Sequence, residues 1–170
     1  KDAHTVQVRT TTGTNTELQG DVILIATGSS PFHPPDVPFD GHLIFDSDTI
    51  LRMEFIPKTL AVVGGGVIGC EYASVFATLG VQVTLIDTHE QILPFVDQEI
   101  VARLTAQLAK LNVRLLFQQQ VNKTEERNKH VHLTLQSGEK LVVDSALYAS
   151  GRQGNVSSLR LETLSIETAK

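Results

Sequence analysis

Apolar residues in the middle of the chain follow first a strand pattern, then a helix pattern, then a strand pattern again. Residues 59–63 form a short run of apolar and β-branched side chains, which is typical of a buried strand in a parallel sheet. Between residues 67 and 79 the apolar positions keep the spacing of one helix face, and Gly80 ends that helix. Residues 81–86 form a second run of the buried-strand type. The pattern predicts a strand–helix–strand unit.

The second half of the chain predicts another helix, then a change of architecture. Residues 97–110 have a good N-cap in Asp97 and apolar positions at helical spacing, and residues 113–117 are a third strand. Residues 131–143 then alternate apolar and polar side chains around a Ser-Gly turn, as antiparallel strands do. Residues 146–149 return to the buried-strand type. We therefore expect an α/β fold, a Rossmann-like parallel sheet with an inserted antiparallel β-meander.

The first 58 residues predict less regular structure. Residues 5–11 and 21–26 are strand-like on either side of a polar turn at residues 14–20, which indicates a hairpin. Four prolines fall between residues 31 and 38, and that density excludes a helix or a central strand. We expect an extended linker there, followed by a short helix at residues 48–53 that Asp46 or Ser47 caps.

Composition excludes several classes of function. The 170 residues are 41% hydrophobic and 19% charged, as in an ordinary globular protein. A net charge of −5 argues against nucleic acid or an anionic membrane as a partner. Cys70 is the single cysteine, so no internal disulfide forms, and we expect a cytoplasmic location and a buried thiol. The chain does not start with Met, and we expect a piece of a longer protein.

Three glycines follow the first strand of the central unit and open its helix, in the order Gly64-x-Gly66-x-x-Gly69. Gly64 allows the tight turn, Gly66 lets the backbone approach a pyrophosphate, and Gly69 lets the helix pack closely on the strand. The helix then directs its amino end at the phosphates. Asp87 ends the next strand, where a carboxylate accepts hydrogen bonds from the adenosine ribose. A glycine turn without ligand is the alternative, but the complete order of elements favours dinucleotide binding.

Two further segments have the same form as each other. Residues 16–31 and 137–155 both contain a small turn, an Asp, an apolar strand and Ala-Thr-Gly or Ala-Ser-Gly. This pair, flanking a dinucleotide-binding motif, resembles the pyridine nucleotide–disulfide oxidoreductase superfamily of flavoproteins. The resemblance implies four regions: residues 1–30 as the edge of an FAD-binding domain, 31–58 as a Pro-rich linker with a short helix, 59–152 as the NAD(P)-binding Rossmann domain, and 153–170 as a return segment toward the FAD domain.

Within that superfamily the chain resembles the transhydrogenases, and this resemblance implies hydride transfer between NADPH and NAD⁺ through flavin. The segments that carry this similarity are residues 33–34, 36–37, 46–48, 50–51, 66–74, 95, 97–99, 151–152 and 154–155. The implied cofactors are NAD, NADP and FAD, with FAD bound mainly by parts outside this chain. The implied partners are the remaining FAD and dimerisation domains of a homo-oligomer.

Site residues follow partly from the motif and partly from this resemblance. Val67 and Ile68 are expected to wall the nicotinamide pocket, and Glu71 to lie near the nicotinamide carboxamide, although it is alternatively a solvated helix charge. No catalytic side chain or metal ligand set is expected, and His130 and His132 are predicted to be surface residues. The expected cofactor-binding residues are Gly64, Gly65, Gly66, Val67, Ile68, Gly69, Glu71, Asp87, Thr88, Thr27, Gly28, Gly151 and Arg152.

Asp87 leaves alternatives open. A carboxylate repels a 2′-phosphate, and no Arg or Lys lies among the four residues after it, although a charged His89 helps NADP. The sequence therefore favours NAD(H), which keeps open an NAD-dependent dihydrolipoamide dehydrogenase. A C-x-x-x-x-C pair upstream of Lys1 would select that alternative. A non-catalytic NAD(H)-binding redox sensor is the third possibility, and a full-length chain without an FAD motif would favour it.

Overall fold

The computed structural model describes residues 2–168, which form two compact units. The terminal unit comprises residues 2–30 with 153–168, and the central unit comprises residues 31–152. Over residues 2–168, the helices are too short or too polar to cross a membrane.

The strands in chain order are Thr5–Arg9 (β1), Asn15–Gln19 (β2), Ser29–Pro31 (β3), Ile44–Asp46 (β4), Thr59–Val63 (β5), Gln82–Ile86 (β6), Arg114–Leu116 (β7), Val121–Arg127 (β8), His130–Leu135 (β9), Lys140–Val143 (β10), Ser145–Tyr148 (β11) and Arg152–Gly154 (β12). The α-helices are Val67–Thr78 (α1) and Gln98–Lys110 (α2), and the 3₁₀ helices are Thr49–Arg52, Ser157–Leu159 and Leu161–Leu164.

The central unit is built on a five-stranded sheet in the order β4-β11-β5-β6-β7, with every neighbouring pair parallel. The predicted α/β fold is therefore confirmed. The chain winds from β5 through β6 to β7 and then returns to place β11 on the other side of β5. Successive strands are consequently added on opposite sides of β5. Such a reversal opens a crevice at the carboxyl ends of the two strands, where α/β proteins bind ligands.

Two layers cover the faces of this sheet, because alternate strand residues point to opposite sides. Leu60 and Val62 of β5 belong to the hydrophobic cluster that includes α1 and α2. Ala61, between them, belongs to a second cluster with Val131 and Leu133 of β9. β8, β9 and β10 form an antiparallel sheet in the order β10-β9-β8, and the predicted meander is thus confirmed. The parallel sheet is buried on both faces, as its apolar strands require.

The sequence analysis did not predict two strands of the central unit. β4 falls inside the segment interpreted as a linker, yet it is an edge strand of the parallel sheet and is fully buried. Its three residues are too few to show a period. β8 carries mostly charged and polar side chains, with Thr124 its buried member. A strand whose outer face is solvated and whose inner face is polar has no apolar alternation to detect.

The predicted hairpin of the terminal unit is wrong in its second strand. β1 pairs with β2 from Thr5 opposite Gln19 to Arg9 opposite Asn15, so the polar segment interpreted as the turn is itself a strand. All five residues of β2 are exposed, and a fully exposed strand resembles a turn in sequence. Residues 21–26 have no strand structure, and the side chains of Val22 and Leu24 are each 88% exposed. These apolar side chains lack a sheet neighbour within residues 2–168.

The amino end of α1 lies against the end of β5, and Gly69 makes this possible. A Cβ atom on Gly69 would overlap the carbonyl oxygen of Gly64, which is backbone and has no rotamer to change. By contrast, a Cβ on Gly66 would meet nothing within 4 Å, and that residue has no positive φ. The same loop therefore contains one glycine that the packing requires and one that it does not.

We predict that Gly69→Ala destabilises the central unit by about 3 kcal/mol, because the helix must move off the strand to admit a methyl group. Gly66→Ala is the matched control and should change the free energy of unfolding by less than about 1 kcal/mol. Both tyrosines, Tyr72 and Tyr148, lie in the central unit, so tyrosine fluorescence during urea unfolding reports its stability. Equal stability of the two variants would contradict the packing argument.

Asp46 holds the end of β4 to the residues around it. Its Oδ1 accepts hydrogen bonds from the backbone amides of Asp48, at 2.8 Å, and Thr49, at 2.7 Å. Its Oδ2 accepts from His33 Nε2 at 2.7 Å, and the His33 ring stacks on Phe39. Burial opposes ionisation of this carboxyl, but the hydrogen bonds from Thr49 and His33 outweigh it and hold its pKa below the ordinary value. The N-cap residue of the short helix is Asp48, so the predicted cap at Asp46 or Ser47 is wrong in position, although Asp46 accepts hydrogen bonds from the two amides at the start of the helix.

A folded-state pKa below the unfolded value means that Asp46 stabilises the fold above about pH 4, and that this contribution is lost as the pH falls further. We predict that Asp46→Asn lowers the free energy of unfolding by about 2 kcal/mol at neutral pH, and that its deficit shrinks in acid. Urea unfolding at a series of pH values measures both. Asp21→Asn, which removes an exposed carboxylate, should change little at any pH, and a pH-independent deficit of Asp46→Asn would exclude the ionised hydrogen bonds as its cause.

Candidate functional site

A cleft of about 870 Å³ opens in the central unit at the carboxyl ends of β11, β5 and β6. This is the crevice that the reversal of strand order predicts, and its volume is in the range of small-molecule sites. Its lining residues come from the glycine loop, the loops after β6 and β11, the Pro-rich segment and the start of β8: Phe32, Pro34, Pro35, Asp36, Val37, Val63, Gly64, Gly66, Val67, Ile68, Ile86, Asp87, Thr88, His89, Phe95, Gln119, Gln120, Val121, Asn122, Lys123, Thr124, Tyr148, Ala149, Ser150 and Gly151.

The floor of the cleft is the turn between β5 and α1. Gly64 has φ of 113°, and a Cβ there would come within 2.5 Å of the Ala149 carbonyl oxygen, so the turn needs glycine for two reasons. Gly66 is the N-cap of α1 and, in the part of the chain that the structure describes, receives no side-chain hydrogen bond as a cap. The first amides of α1, those of Val67 and Ile68, have no acceptor inside the helix. They provide hydrogen-bond donors and a positive dipole end for an anion.

Asp87 ties the glycine loop to the end of β6. Its Oδ2 accepts a short hydrogen bond from the Gly65 amide, and a Cβ on Gly65 would lie 3.0 Å from the same oxygen. The segment after β7 adds a further support, since Gln119 donates its amide to the Asp87 carbonyl at 3.0 Å. Gly65 is therefore occupied in positioning Asp87 and lies behind the cleft surface.

His89 covers the other oxygen of this carboxylate. Asp87 Oδ1 accepts from the backbone amide of His89 and from its Nδ1, each at 2.7 Å. The Asp87 side chain is only 10% exposed, whereas that of His89 is 60% exposed. The acid that the sequence places at the adenosine ribose thus makes internal hydrogen bonds through both oxygens, and the imidazole forms the outer surface. The role of Asp87 toward ribose stays a prediction.

Two buried titratable groups near the cleft are not nucleophiles. Cys70 in α1 donates its thiol hydrogen to the Gly65 carbonyl oxygen at 3.4 Å, and burial, aided by the nearby charge of Asp87, raises its pKa to about 11. Tyr148 shares a hydrogen bond with Thr124, and burial raises the pKa of its phenol. Both groups stay protonated at neutral pH and serve packing.

Some of the predicted site residues line the cleft, and others lie elsewhere in the structure. Cleft-lining positions include Gly64, Gly66, Val67, Ile68, Asp87, Thr88 and Gly151. Gly69 is buried beneath the loop, and Glu71 is exposed on α1 outside the lining, as the solvated alternative expects. Arg152 pairs with Asp48 at 2.6 Å. In the terminal unit, the carbonyl oxygens of Thr27 and Gly28 accept hydrogen bonds from Asn155.

The wall contributed by residues 32–37 and 119–124 was not predicted. The prolines indicated an extended segment, but no sequence pattern tells which surface such a segment crosses. Phe95 lies in the lining and is 72% exposed, which a sequence pattern would associate with a core position instead. Within residues 2–168, no three His, Cys, Asp or Glu side chains come close enough to hold a metal ion. The arrangement combines an amide-lined loop with apolar walls, which suits a ligand that has both phosphates and flat rings.

Known proteins are similar in sequence to this chain over nearly its whole length. Relatives from Pseudomonas paraeruginosa and Yersinia pestis, each described as a soluble pyridine nucleotide transhydrogenase, are 43% identical over 166 residues. That stretch is 98% of this chain and 36% of each relative, so the chain spans about a third of their length.

Solved structures agree with the fold. LpdA from Mycobacterium tuberculosis is 29% identical with a TM-score of 0.90, over 98% of this chain and 36% of that one. The HOCl-induced flavoprotein disulfide reductase RclA from Escherichia coli is 30% identical with a TM-score of 0.84, over 99% of this chain and 38% of that one. The sequence profile described as pyridine nucleotide-disulphide oxidoreductase matches residues 1–170. The resemblance found in the sequence is confirmed, and the chain belongs to the pyridine nucleotide-disulphide oxidoreductase family.

Proposed function

We propose that this chain is the NAD(P)-binding domain of an FAD-dependent pyridine nucleotide transhydrogenase, which passes hydride between NADPH and NAD⁺. The observation that carries the proposal is the open amino end of α1: Gly66 leaves its first amides accessible in a cleft whose size suits a dinucleotide. The 43% identity to relatives described as soluble transhydrogenases supports the specific activity.

The residues of the cleft have separate tasks in this proposal. The backbone amides of Gly66, Val67 and Ile68 bind the pyrophosphate, with the helix dipole adding to their attraction. Asp87 and His89 face the adenosine ribose. Val67 and Ile68 also wall the nicotinamide, and their apolar side chains exclude water from it. The bound nicotinamide and flavin supply the hydride chemistry, so the protein needs only to position them.

Other parts of the chain fit the same proposal. Glu71 is exposed on α1 and is available to pair with a lysine of an FAD-binding domain. Residues 1–30 and 153–170 are proposed to belong to that domain, and residues 59–152 to the nucleotide-binding domain with 31–58 leading into it. The exposed apolar side chains of residues 21–26 are those expected where a further sheet continues. Homo-oligomeric assembly and a cytoplasmic location remain predictions.

An NAD-dependent disulfide oxidoreductase is the second candidate. It is favoured by the likeness to the flavoprotein disulfide reductase RclA and by the carboxylate at position 87, which suits the ribose diol of NAD. A C-x-x-x-x-C pair in the longer protein would distinguish this candidate from the transhydrogenase. The non-catalytic sensor would instead lack an FAD motif in the longer protein.

We predict that the chain binds NADH and that Gly66→Ala weakens binding at least about tenfold, because its methyl group occupies the space through which a phosphate approaches the amides. Calorimetric titration measures the affinity, and the urea unfolding described above shows that the variant is folded. Gly154→Ala in the terminal unit is the control and should bind NADH as the parent chain does. Unchanged binding by folded Gly66→Ala would remove the glycine loop from the site.

We also predict that the purified chain binds nucleotide without turnover. Because most of an FAD site is expected in parts outside this chain, the protein should show no flavin absorbance and should not oxidise NADH when FAD and an electron acceptor are added. Visible absorbance and the decay of NADH absorbance test this directly. A yellow protein, or hydride transfer by the chain alone, would place the flavin site within these residues.

A further inference from the structure

The adenosine end of the cleft presents an imidazole in front of a carboxylate. Both oxygens of Asp87 are engaged, one by the Gly65 amide and the other by the amide and Nδ1 of His89. Both residues line the cleft, and because the His89 side chain is 60% exposed and that of Asp87 only 10%, His89 offers a ligand the larger accessible surface. The chemical character of this end of the cleft therefore depends on the exposed nitrogen of His89.

The hydrogen bond to Asp87 fixes which nitrogen that is. An ionised carboxylate only accepts, so the Nδ1 that lies 2.7 Å from Asp87 Oδ1 must carry the hydrogen. In the neutral ring the other nitrogen, Nε2, then has a lone pair and accepts a hydrogen bond. In the protonated ring Nε2 carries a hydrogen, donates, and brings a positive charge. One proton thus converts the outer atom of His89 from an acceptor into a cationic donor.

These two states match the two forms of a pyridine nucleotide. A ribose 2′-hydroxyl in NAD(H) can donate to an acceptor, whereas the fully ionised 2′-phosphate of NADP(H) only accepts and carries negative charge. We propose that His89 is the residue that selects between them: its neutral form binds the 2′-hydroxyl and its protonated form binds the 2′-phosphate. Asp87 is the positioning residue that holds the ring in this orientation. The inference deepens the proposed function and depends on it.

The other charged groups near this end of the cleft do not replace His89. Glu90 follows it in the same loop and is exposed, and its charge repels a 2′-phosphate. From the segment after β7, Gln118 donates its amide to the His89 carbonyl at 2.9 Å and is uncharged. From β8, Lys123 lines the same cleft but is paired with Glu125 at 3.0 Å. Among these side chains only imidazole converts readily between a neutral and a cationic form, so nucleotide preference should depend on pH.

The test is calorimetric titration of the chain with NADH and with NADPH at about pH 6 and about pH 8. We expect NADPH affinity relative to NADH to rise about tenfold at the lower pH, the factor typical of a charge-assisted hydrogen bond. His89→Gln should keep NADH binding and lose most of this change. His89→Lys, cationic at both pH values, should prefer NADPH at both, which separates the effect from protonation of the 2′-phosphate itself near about pH 6.

Two further variants define the roles. Asp87→Asn keeps the imidazole but loses the carboxylate that orients it, so the preference for NADPH at about pH 6 should shrink. His42→Gln removes an exposed histidine outside the cleft lining and should leave every affinity unchanged. If NADH binds but relative affinity does not change with pH, or if His89→Gln changes with pH as the parent does, the inference is wrong. If NADH binds at neither pH, the proposed function itself fails.

Discussion

The amino end of α1 lies so close to β5 that residue 69 has room for no side chain, and the architecture of the site depends on this contact. The overlap that a Cβ would make is with the Gly64 carbonyl, in the turn that precedes the first amides of α1. Moving the helix outward would therefore separate the dipole from the loop as well as open the core. The packing requirement and the proposed approach of a phosphate fall on different glycines of the same loop, since Gly66 has open space where Gly69 has none.

A second constraint connects the glycine loop to the neighbouring strand. Asp87 ends β6 and accepts from Gly65, so the carboxylate that closes one strand also fixes the turn after the next strand in the sheet. The outer oxygen of the same group orients His89. A single, largely buried carboxylate thereby fixes both the glycine loop and the imidazole beside it. An acid at this position consequently shapes the cleft through its neighbours as well as through its own surface.

Sequence patterns predicted the elements whose burial is one-sided or complete. β5, α1, β6, α2 and the pair β9 and β10 all have apolar residues at the period of their structure. The patterns failed where apolar residues do not recur at the period of the element. β8 presents charged residues to solvent and Thr124 inward, and β2 is exposed throughout. Residues 21–26 failed in the opposite sense, because an apolar run predicts a strand only if another strand is present to receive its hydrogen bonds.

The candidate site likewise has one part that the sequence predicts and another that it does not. The residues of its glycine loop are close together in the sequence. A sequence motif can therefore identify the positions where a side chain would be in the way. The contacts that shape the cleft are not local: Gly65 meets Asp87 across 22 residues, and the Pro-rich segment and the start of β8 line the same cleft only in the folded chain. A motif shows that a carboxylate follows the second strand, but not that both of its oxygens already accept hydrogen bonds within the protein. Since the more exposed member of a hydrogen-bonded pair offers a ligand the larger surface, the folded geometry adds His89 to Asp87 as a candidate for the proposed choice between nucleotides.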